Sequence, residues 1–184
     1  MKSSKIIAGV DEVGRGSLVG SVYSAAVILD NKYNIKNLMD SKKINEKKRK
    51  LLANEILLHS LSTSIGIATK DEIDSINIHH ATLLSMKRAI ANLNIIPDKI
   101  YIDGLYCPDI AIDCDAIVKG DQSVAEISAA SIVAKVARDN EMIYLNNAFE
   151  MYEFNKNKGY GTAKHLDTIF HLGKTIHHRE SFLK

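Results

Sequence analysis

Asp11 and Glu12 stand side by side behind a short apolar run, Ile6 to Val10, and Gly14-Arg15-Gly16 follows them almost at once. Two acids at the end of a strand can hold a hard cation through oxygen ligands. A turn flanked by glycines exposes backbone N–H groups to a phosphate or a sugar. Together the two features point to metal-assisted chemistry on a nucleic acid strand.

Two more acids share the setting. Asp103 follows the apolar run Ile100-Tyr101-Ile102, and Asp121 follows Ile117-Val118 and precedes a helical stretch. In open sheets ligand sites gather beyond strand ends. Four carboxylates meeting there repel one another unless cations lie between them. Mg²⁺ and Mn²⁺ take such ligands, and two ions roughly 3.5–4 Å apart are a recurrent arrangement for phosphodiester cleavage. Each acid also has a plainer reading. Asp121 alone is equally well a helix cap, and Asp103 before Gly104 a turn residue. Asp139 is a candidate fifth ligand, with a structural pairing to Arg138 or nearby backbone as the favoured alternative. His165 is a candidate phosphate contact, and a structural role for it is at least as well supported. His79-His80 and His177-His178 lack metal-ligand spacing.

The elements that must position these groups are legible from periodicity and caps. Lys5–Asp11 reads as a strand, as does Ser21–Leu29, whose nearly continuous apolar and small residues imply burial on both faces. Asn45 caps a helix reaching about Ser60. Thr63–Thr69 reads as a third strand. Thr69-x-x-Glu72 has capping-box form and opens a helix with Ile76, His80, Leu83, Leu84 and Ile90 on one face. Lys99–Asp103 and Ala111–Val118 are further strands. Ser123-x-x-Glu126 reads as a second capping box, opening a small-residue helix to about Asn140 that can lie close against a sheet. Helices over Glu141–Phe154 and Thr162–Leu172 complete the chain. The order β-β-α-β-α-β-β-α-α-α implies an α/β or α+β domain, a sheet with helices packed on it.

The 184 residues are most simply one domain, 1–184, with about 141–184 as a helical C-terminal segment. Composition is that of an ordinary globular chain: 46% hydrophobic, 25% charged, net charge +2. The small net charge conceals clustering. Residues 42–50 carry six Lys or Arg against one Glu, and Lys156, Lys158 and Lys164 form a second basic stretch. A solvated helix face is the default reading of such runs. Cys107 and Cys114 make no disulfide framework and have no partners at zinc spacing. The N-terminal apolar run is too short for a signal peptide, and none approaches a membrane span. These features point to a cytoplasmic protein without membrane association, and to a monomer by default.

The ordered set of motifs resembles one family, the type 2 ribonucleases H, and within it bacterial ribonuclease HII. Gly9-Val10-Asp11-Glu12-Val13-Gly14-Arg15-Gly16 matches the opening motif, and Ile102-Asp103-Gly104 the second acidic motif. Val118-Lys119-Gly120-Asp121, running into Ile127 to Asp139, matches the third. Asp40-Ser41-Lys42-Lys43 resembles its basic loop. Lys158-Gly159-Tyr160-Gly161-Thr162, His165 and His178-Arg179-x-Ser181-Phe182 resemble its C-terminal signatures.

The resemblance implies an RNase H-like fold, with a mixed central sheet flanked by helices and a C-terminal helical part completing the substrate groove. It implies a catalytic metal site of Asp11, Glu12, Asp103 and Asp121 holding Mg²⁺ or Mn²⁺. Substrates would be RNA–DNA hybrids and duplex DNA with single embedded ribonucleotides, cut on the 5′ side of the ribonucleotide to leave 3′-hydroxyl and 5′-phosphate ends. Ribonucleotide excision and primer removal would be the roles. Gly14, Arg15 and Gly16 would sense the 2′-hydroxyl, the group that separates RNA from DNA. Lys42 and Lys43 would hold phosphates, and Tyr160 would pack against the sugar at an RNA-to-DNA junction. A sliding clamp is a partner that the sequence neither requires nor excludes. Ser17 and Ser21 depart from the family, which usually has proline there. Catalytic motifs beginning by residue 9 disfavour the ribonuclease HIII subtype. Another nuclease or an integrase-like transferase on the same fold, and a binding module without catalysis, stay open as alternatives. The Gly-Arg-Gly turn with Tyr160 argues against the first, and retention of all four acids against the second.

Overall fold

The computed structural model describes residues 5–36, 38 and 45–183; Lys42 and Lys43 of the basic loop lie outside them. Strand β1 (Ile7–Val13) pairs antiparallel with β2 (Val22–Leu29), and β2 pairs antiparallel with β3 (Ser60–Ala68). On its other side β1 pairs parallel with β4 (Lys99–Asp103), and β4 pairs parallel with β5 (Cys114–Ile117). The sheet order is β3-β2-β1-β4-β5, so β1, which carries the first two acids, is its central strand.

Caps set the helices as their sequences imply. Asn45 accepts from the Lys48 N–H at 2.9 Å to open α1 (Glu46–His59). Thr69 and Glu72 form a reciprocal capping box at the start of α2 (Lys70–Ala91). Inside α2, Asn77 adopts a left-handed φ of 64°, and its side chain accepts from the His79 and His80 N–H groups. That break rotates the second half of the helix, so the buried face holds Ile73, Ala81, Met86, Ala89 and Ile90 and leaves Ile76 exposed.

Two helical layers cover the sheet. On one face Ala25 and Val27 of β2 pack on Ala129, Ala130, Val133 and Ala134 of α3 (Ala125–Ala148), with Leu52 and Ile56 of α1 alongside. On the other, Ala8, Val10, Ile28, Ile100 and Ile102 meet Met86, Ala89 and Ile90 of α2. Each large aliphatic side chain so buried contributes about 1.5–3 kcal/mol. Small residues on α3 bring it very close to β1: a Cβ placed on Gly9 would stand 2.1 Å from the Glu126 backbone carbon. A third cluster, Val19, Met142, Leu145, Tyr152 and Phe154, fastens the C-terminal part to the far end of α3. That part holds α4 (Phe154–Asn157) and α5 (Ala163–Leu172), the latter capped by Thr162.

Four expectations are corrected. β1 does not end at Asp11; β2 supplies pairing partners as far as Val13↔Tyr23, so Glu12 and Val13 also lie inside the strand. α3 is one helix to Ala148 rather than two, because neither Gly nor Pro interrupts it and its buried stripe continues through Met142 and Leu145. Ser123 does not cap it; Val124 holds the cap position without a side-chain bond, after a 3₁₀ turn over Gly120–Gln122. β5 spans only Cys114–Ile117. Among the described residues no helix is long and apolar enough to cross a membrane.

Candidate active site

The parallel register places Val10 opposite Ile102, so Asp11 and Asp103 come next on neighbouring strands. Asp103 pairs with Ile117 on β5, and the chain then turns through left-handed Lys119 into Gly120–Gln122, where the Asp121 side chain is buried. All four acids therefore sit at one end of β1, β4 and β5, beside the start of α3.

Within β1 the two acids face opposite ways, as consecutive strand residues must. Asp11 lies on the α3 side with a hydrogen bond from Ser131, and its Oδ1 accepts the Glu12 N–H at 2.7 Å. Glu12 points to the α2 side, into a cleft lined by Arg15, His79, Met86, Asp103 and Tyr106. Burial holds the Asp11 carboxyl well above its usual range, and the charges of Glu12 and Asp103 push it further up. Burial also raises Glu12, and Arg15, whose guanidinium donates to Glu12 Oε1 at 3.4 Å, offsets part of that. Asp103 Oδ1 accepts the Gly120 N–H at 2.7 Å, which ties the end of β4 to the turn bearing Asp121.

The donor set fits a hard divalent ion. Every candidate ligand atom is a carboxylate oxygen, the type Mg²⁺ and Mn²⁺ take. Among the described residues Glu12 Oε2 is buried without a hydrogen-bond partner. Raised carboxyl pKa values mark desolvated like charges that a nearby cation would relieve. Among the described residues no three His, Cys, Asp or Glu side chains stand in an array ready to hold an ion. Asp103 accepts from the Gly120 N–H and Glu12 from the Arg15 guanidinium.

The Gly14–Gly16 turn is held from beneath by two buried arginines. Gly14 has a φ of 94°, and a Cβ there would fall 2.2 Å from Arg138 Nε. Arg179 donates to the carbonyls of Gly14 and Arg15 at 2.9 Å, and to those of Gly20 and Ser21 at 2.9 and 3.2 Å. Those bonds direct the turn's carbonyl groups inward. Arg138 donates to Ser17 Oγ at 2.6 Å, to the Val19 carbonyl at 3.1 Å and to the Lys158 carbonyl at 2.8 Å. The serine that replaces the family's usual proline thus gains a partner: its hydroxyl accepts from Arg138 and donates to the Val19 carbonyl at 2.9 Å.

Tyr160 faces the same turn. It bridges Ser17, lies closest of any group to Gly16 Cα's missing side chain, and has the Arg138 guanidinium 5.6 Å from its ring centre. Asp139 is buried and pairs with Lys135 at 2.7 Å, not with Arg138. His165 is fully buried, hydrogen-bonded to the Tyr160 carbonyl and to His178, and so presents nothing to a phosphate. The second basic stretch is paired off: Lys156 and Lys164 on Glu153, and Lys158 on Glu46.

The residue types suggested for Arg138 only a pairing with Asp139, and no role for Arg179, Ser17 or Ser131. Arg138 carried a signal: it falls between Ala134 and Met142 on a stripe that is otherwise apolar or small. A cation there must find partners inside the protein. Arg179 carried none, because its acceptors lie about 160 positions away in the chain.

Comparison with known proteins accords with this geometry. The sequence pattern of the family Ribonuclease HII matches residues 8–184. Among solved structures, the ribonuclease H2 from Pyrococcus horikoshii OT3 is similar, with 25% identity and a TM-score of 0.79 over 95% of this chain and 92% of that one. The RNase HII of the PCNA:RNase HII complex from Archaeoglobus fulgidus shares 23% identity, with a TM-score of 0.81 over 95% and 94%. Bst-RNase HIII, solved with Mn²⁺, shares 20% identity, with a TM-score of 0.72 over 92% of this chain and 63% of its own. The last two likenesses bear on the fold alone.

Proposed function

Because the chain belongs to the ribonuclease HII family, we propose that it hydrolyses the phosphodiester on the 5′ side of a ribonucleotide, in RNA–DNA hybrids and at single ribonucleotides embedded in duplex DNA. As a type 2 ribonuclease H it is a hydrolase acting on nucleic acid. Water adds to phosphorus and the 3′-oxygen leaves, giving a 3′-hydroxyl and a 5′-phosphate. The observation that carries the reading is the placement of Asp11, Glu12, Asp103 and Asp121 at one sheet end, next to a turn whose carbonyls Arg179 has drawn inward.

Asp11, Glu12, Asp103 and Asp121 would hold Mg²⁺ or Mn²⁺. A pair of such ions supplies an activated water and charge stabilisation for the leaving oxygen. The chain's own residues do the selecting. Gly16, where a side chain would meet only the Tyr160 ring, leaves room for a sugar to approach the backbone, Gly14 lets Arg138 support the turn from beneath, and N–H groups of the turn read the 2′-hydroxyl. Tyr160, 36% exposed and facing Gly16, packs on the neighbouring sugar and checks for the RNA-to-DNA junction. Lys42 and Lys43 hold backbone phosphates, which adds affinity without sequence preference. Excision of misincorporated ribonucleotides and removal of primers are the corresponding roles, with a sliding clamp as the recruiting partner.

The deciding experiment is cleavage of duplex DNA carrying one ribonucleotide, with and without divalent metal, mapped to the nucleotide. One cut immediately 5′ of the ribonucleotide, dependent on metal, is expected. Equal cutting of all-DNA duplex would favour a general nuclease on this fold, and binding without cleavage in either metal would favour a non-catalytic module.

A further inference from the structure

Two buried histidines link Tyr160 to the C-terminal segment, and their partners leave one arrangement of protons. Two groups of Thr175 meet His178 Nδ1: the backbone N–H at 2.8 Å, which only donates and so requires that nitrogen bare, and the hydroxyl at 2.9 Å, which then donates to it as well. The Tyr160 carbonyl lies 2.8 Å from His165 Nδ1, and a carbonyl only accepts, so that nitrogen carries hydrogen. The two Nε2 atoms are 3.1 Å apart. A bare Nδ1 on His178 requires its hydrogen on Nε2, which then donates to the bare Nε2 of His165. The result is a directed chain: Thr175 N–H to His178, His178 to His165, His165 to the Tyr160 carbonyl. An extra proton on either ring breaks it. Both rings are fully buried, packed against Tyr152 and Phe154. Burial holds both below the usual imidazole range.

The chain ends at the residue proposed to sense the junction, and it starts beside Arg179, which grips the Gly14–Gly16 turn. One short segment, His178-Arg179, thus reaches both substrate-facing elements. We propose that His165 and His178 are positioning residues for Tyr160, fixing its distance from the Gly-Arg-Gly turn and thereby its discrimination of single ribonucleotides. This inference rests on the reading of Tyr160 given above.

Its test combines spectroscopy and kinetics. Long-range ¹H–¹⁵N spectra of the imidazoles in the wild-type protein at neutral pH are expected to give the Nδ1–H tautomer for His165 and the Nε2–H tautomer for His178. The opposite tautomers, or a charged ring, overturn the relay. His178→Leu removes the donor toward His165. It is expected to lower kcat/KM on a single-ribonucleotide duplex by about 10- to 100-fold, the scale of a small misplacement in a reacting complex, with a smaller loss on a long hybrid. His178→Gln keeps an amide donor and is expected to recover most of that loss. The double variant His178→Leu with Tyr160→Ala is expected to be no worse than Tyr160→Ala alone, because the histidine acts through the tyrosine. Additive losses, or an equal loss on both substrates, overturn the positioning role. Should Tyr160→Ala itself lose both substrates equally, the junction reading of Tyr160 falls, while the tautomers still decide the relay.

Discussion

Asp11 and Glu12 are neighbours in β1, yet their side chains leave the sheet on opposite faces, Asp11 toward Ser131 of α3 and Glu12 toward His79 and Met86 beside α2. The paired acids are therefore not a pincer on one side of the sheet. Asp103, next on the neighbouring strand, couples electrostatically to both.

On the proposed metal assignment each acid is expected to be separately necessary. Asp11→Asn and Asp121→Asn are expected to reduce cleavage by more than the roughly 10- to 100-fold that losing a supporting hydrogen bond costs at a metal site. Duplex affinity should change little, since phosphate contacts remain. Single-turnover cleavage with a parallel binding titration checks this; wild-type turnover in either variant contradicts the assignment.

Tyr160→Ala removes a ring that nothing else in the turn replaces. Contacts of this kind are worth about 1–3 kcal/mol, so a loss of roughly 5- to 150-fold is expected on single-ribonucleotide duplexes, with far less on long hybrids. Matched kcat/KM measurements on the two substrates decide it. Equal losses count against a junction role.

Gly9 and Gly14 are expected to tolerate alanine badly, for different reasons. At Gly9 the new methyl meets helix backbone at 2.1 Å, which cannot move without lifting α3 from the sheet. At Gly14 it meets the Arg138 side chain, and the φ of 94° adds backbone strain. Overpacking and strain each cost about 1–3 kcal/mol. Urea denaturation should show both variants destabilised, and Gly14→Ala should also lose ribonucleotide discrimination as Arg138 shifts. A Gly9→Ala midpoint equal to wild type would refute the close approach of α3.

Acid should weaken the protein through His178, whose ring is pushed down to about 4 by burial, with His165 and Lys174 adding to the shift and the Thr175 backbone and Glu180 opposing it. The unfolded chain takes up this proton near the usual imidazole value and the folded one resists it. The contribution is therefore whole above about pH 6.5 and is lost as pH falls toward 4. Raised Asp11 and Glu12 act in the opposite sense, so the comparison that isolates the histidine is wild type against His178→Gln. The Tm advantage of wild type is expected to shrink across that interval. An advantage independent of pH would show that the ring is not held neutral by the fold.

Much of the fold is legible in local chemistry. Asn45 and the Thr69–Glu72 box mark helix starts because caps satisfy N–H groups within three residues of themselves. β2 announces its double-sided burial by an unbroken apolar run. A distant partner decides the misread strand boundary: β1 continues through Glu12 and Val13 because β2 pairs with it there; the buried face of α2 turns because Asn77 adopts a positive φ.

The sequence by itself determined which acids and glycines form the candidate site, because residue type limits what can bind a hard cation or admit a sugar; Tyr160 entered only through the family resemblance. Tertiary structure alone decided how they are held. Arg179 reaches back to Gly14 and Arg15, and His178 reaches Tyr160 through His165. Such bonds join buried polar groups remote in the chain, whose need for partners is local but whose choice of partner exists only once the sheet and the C-terminal segment have closed on each other.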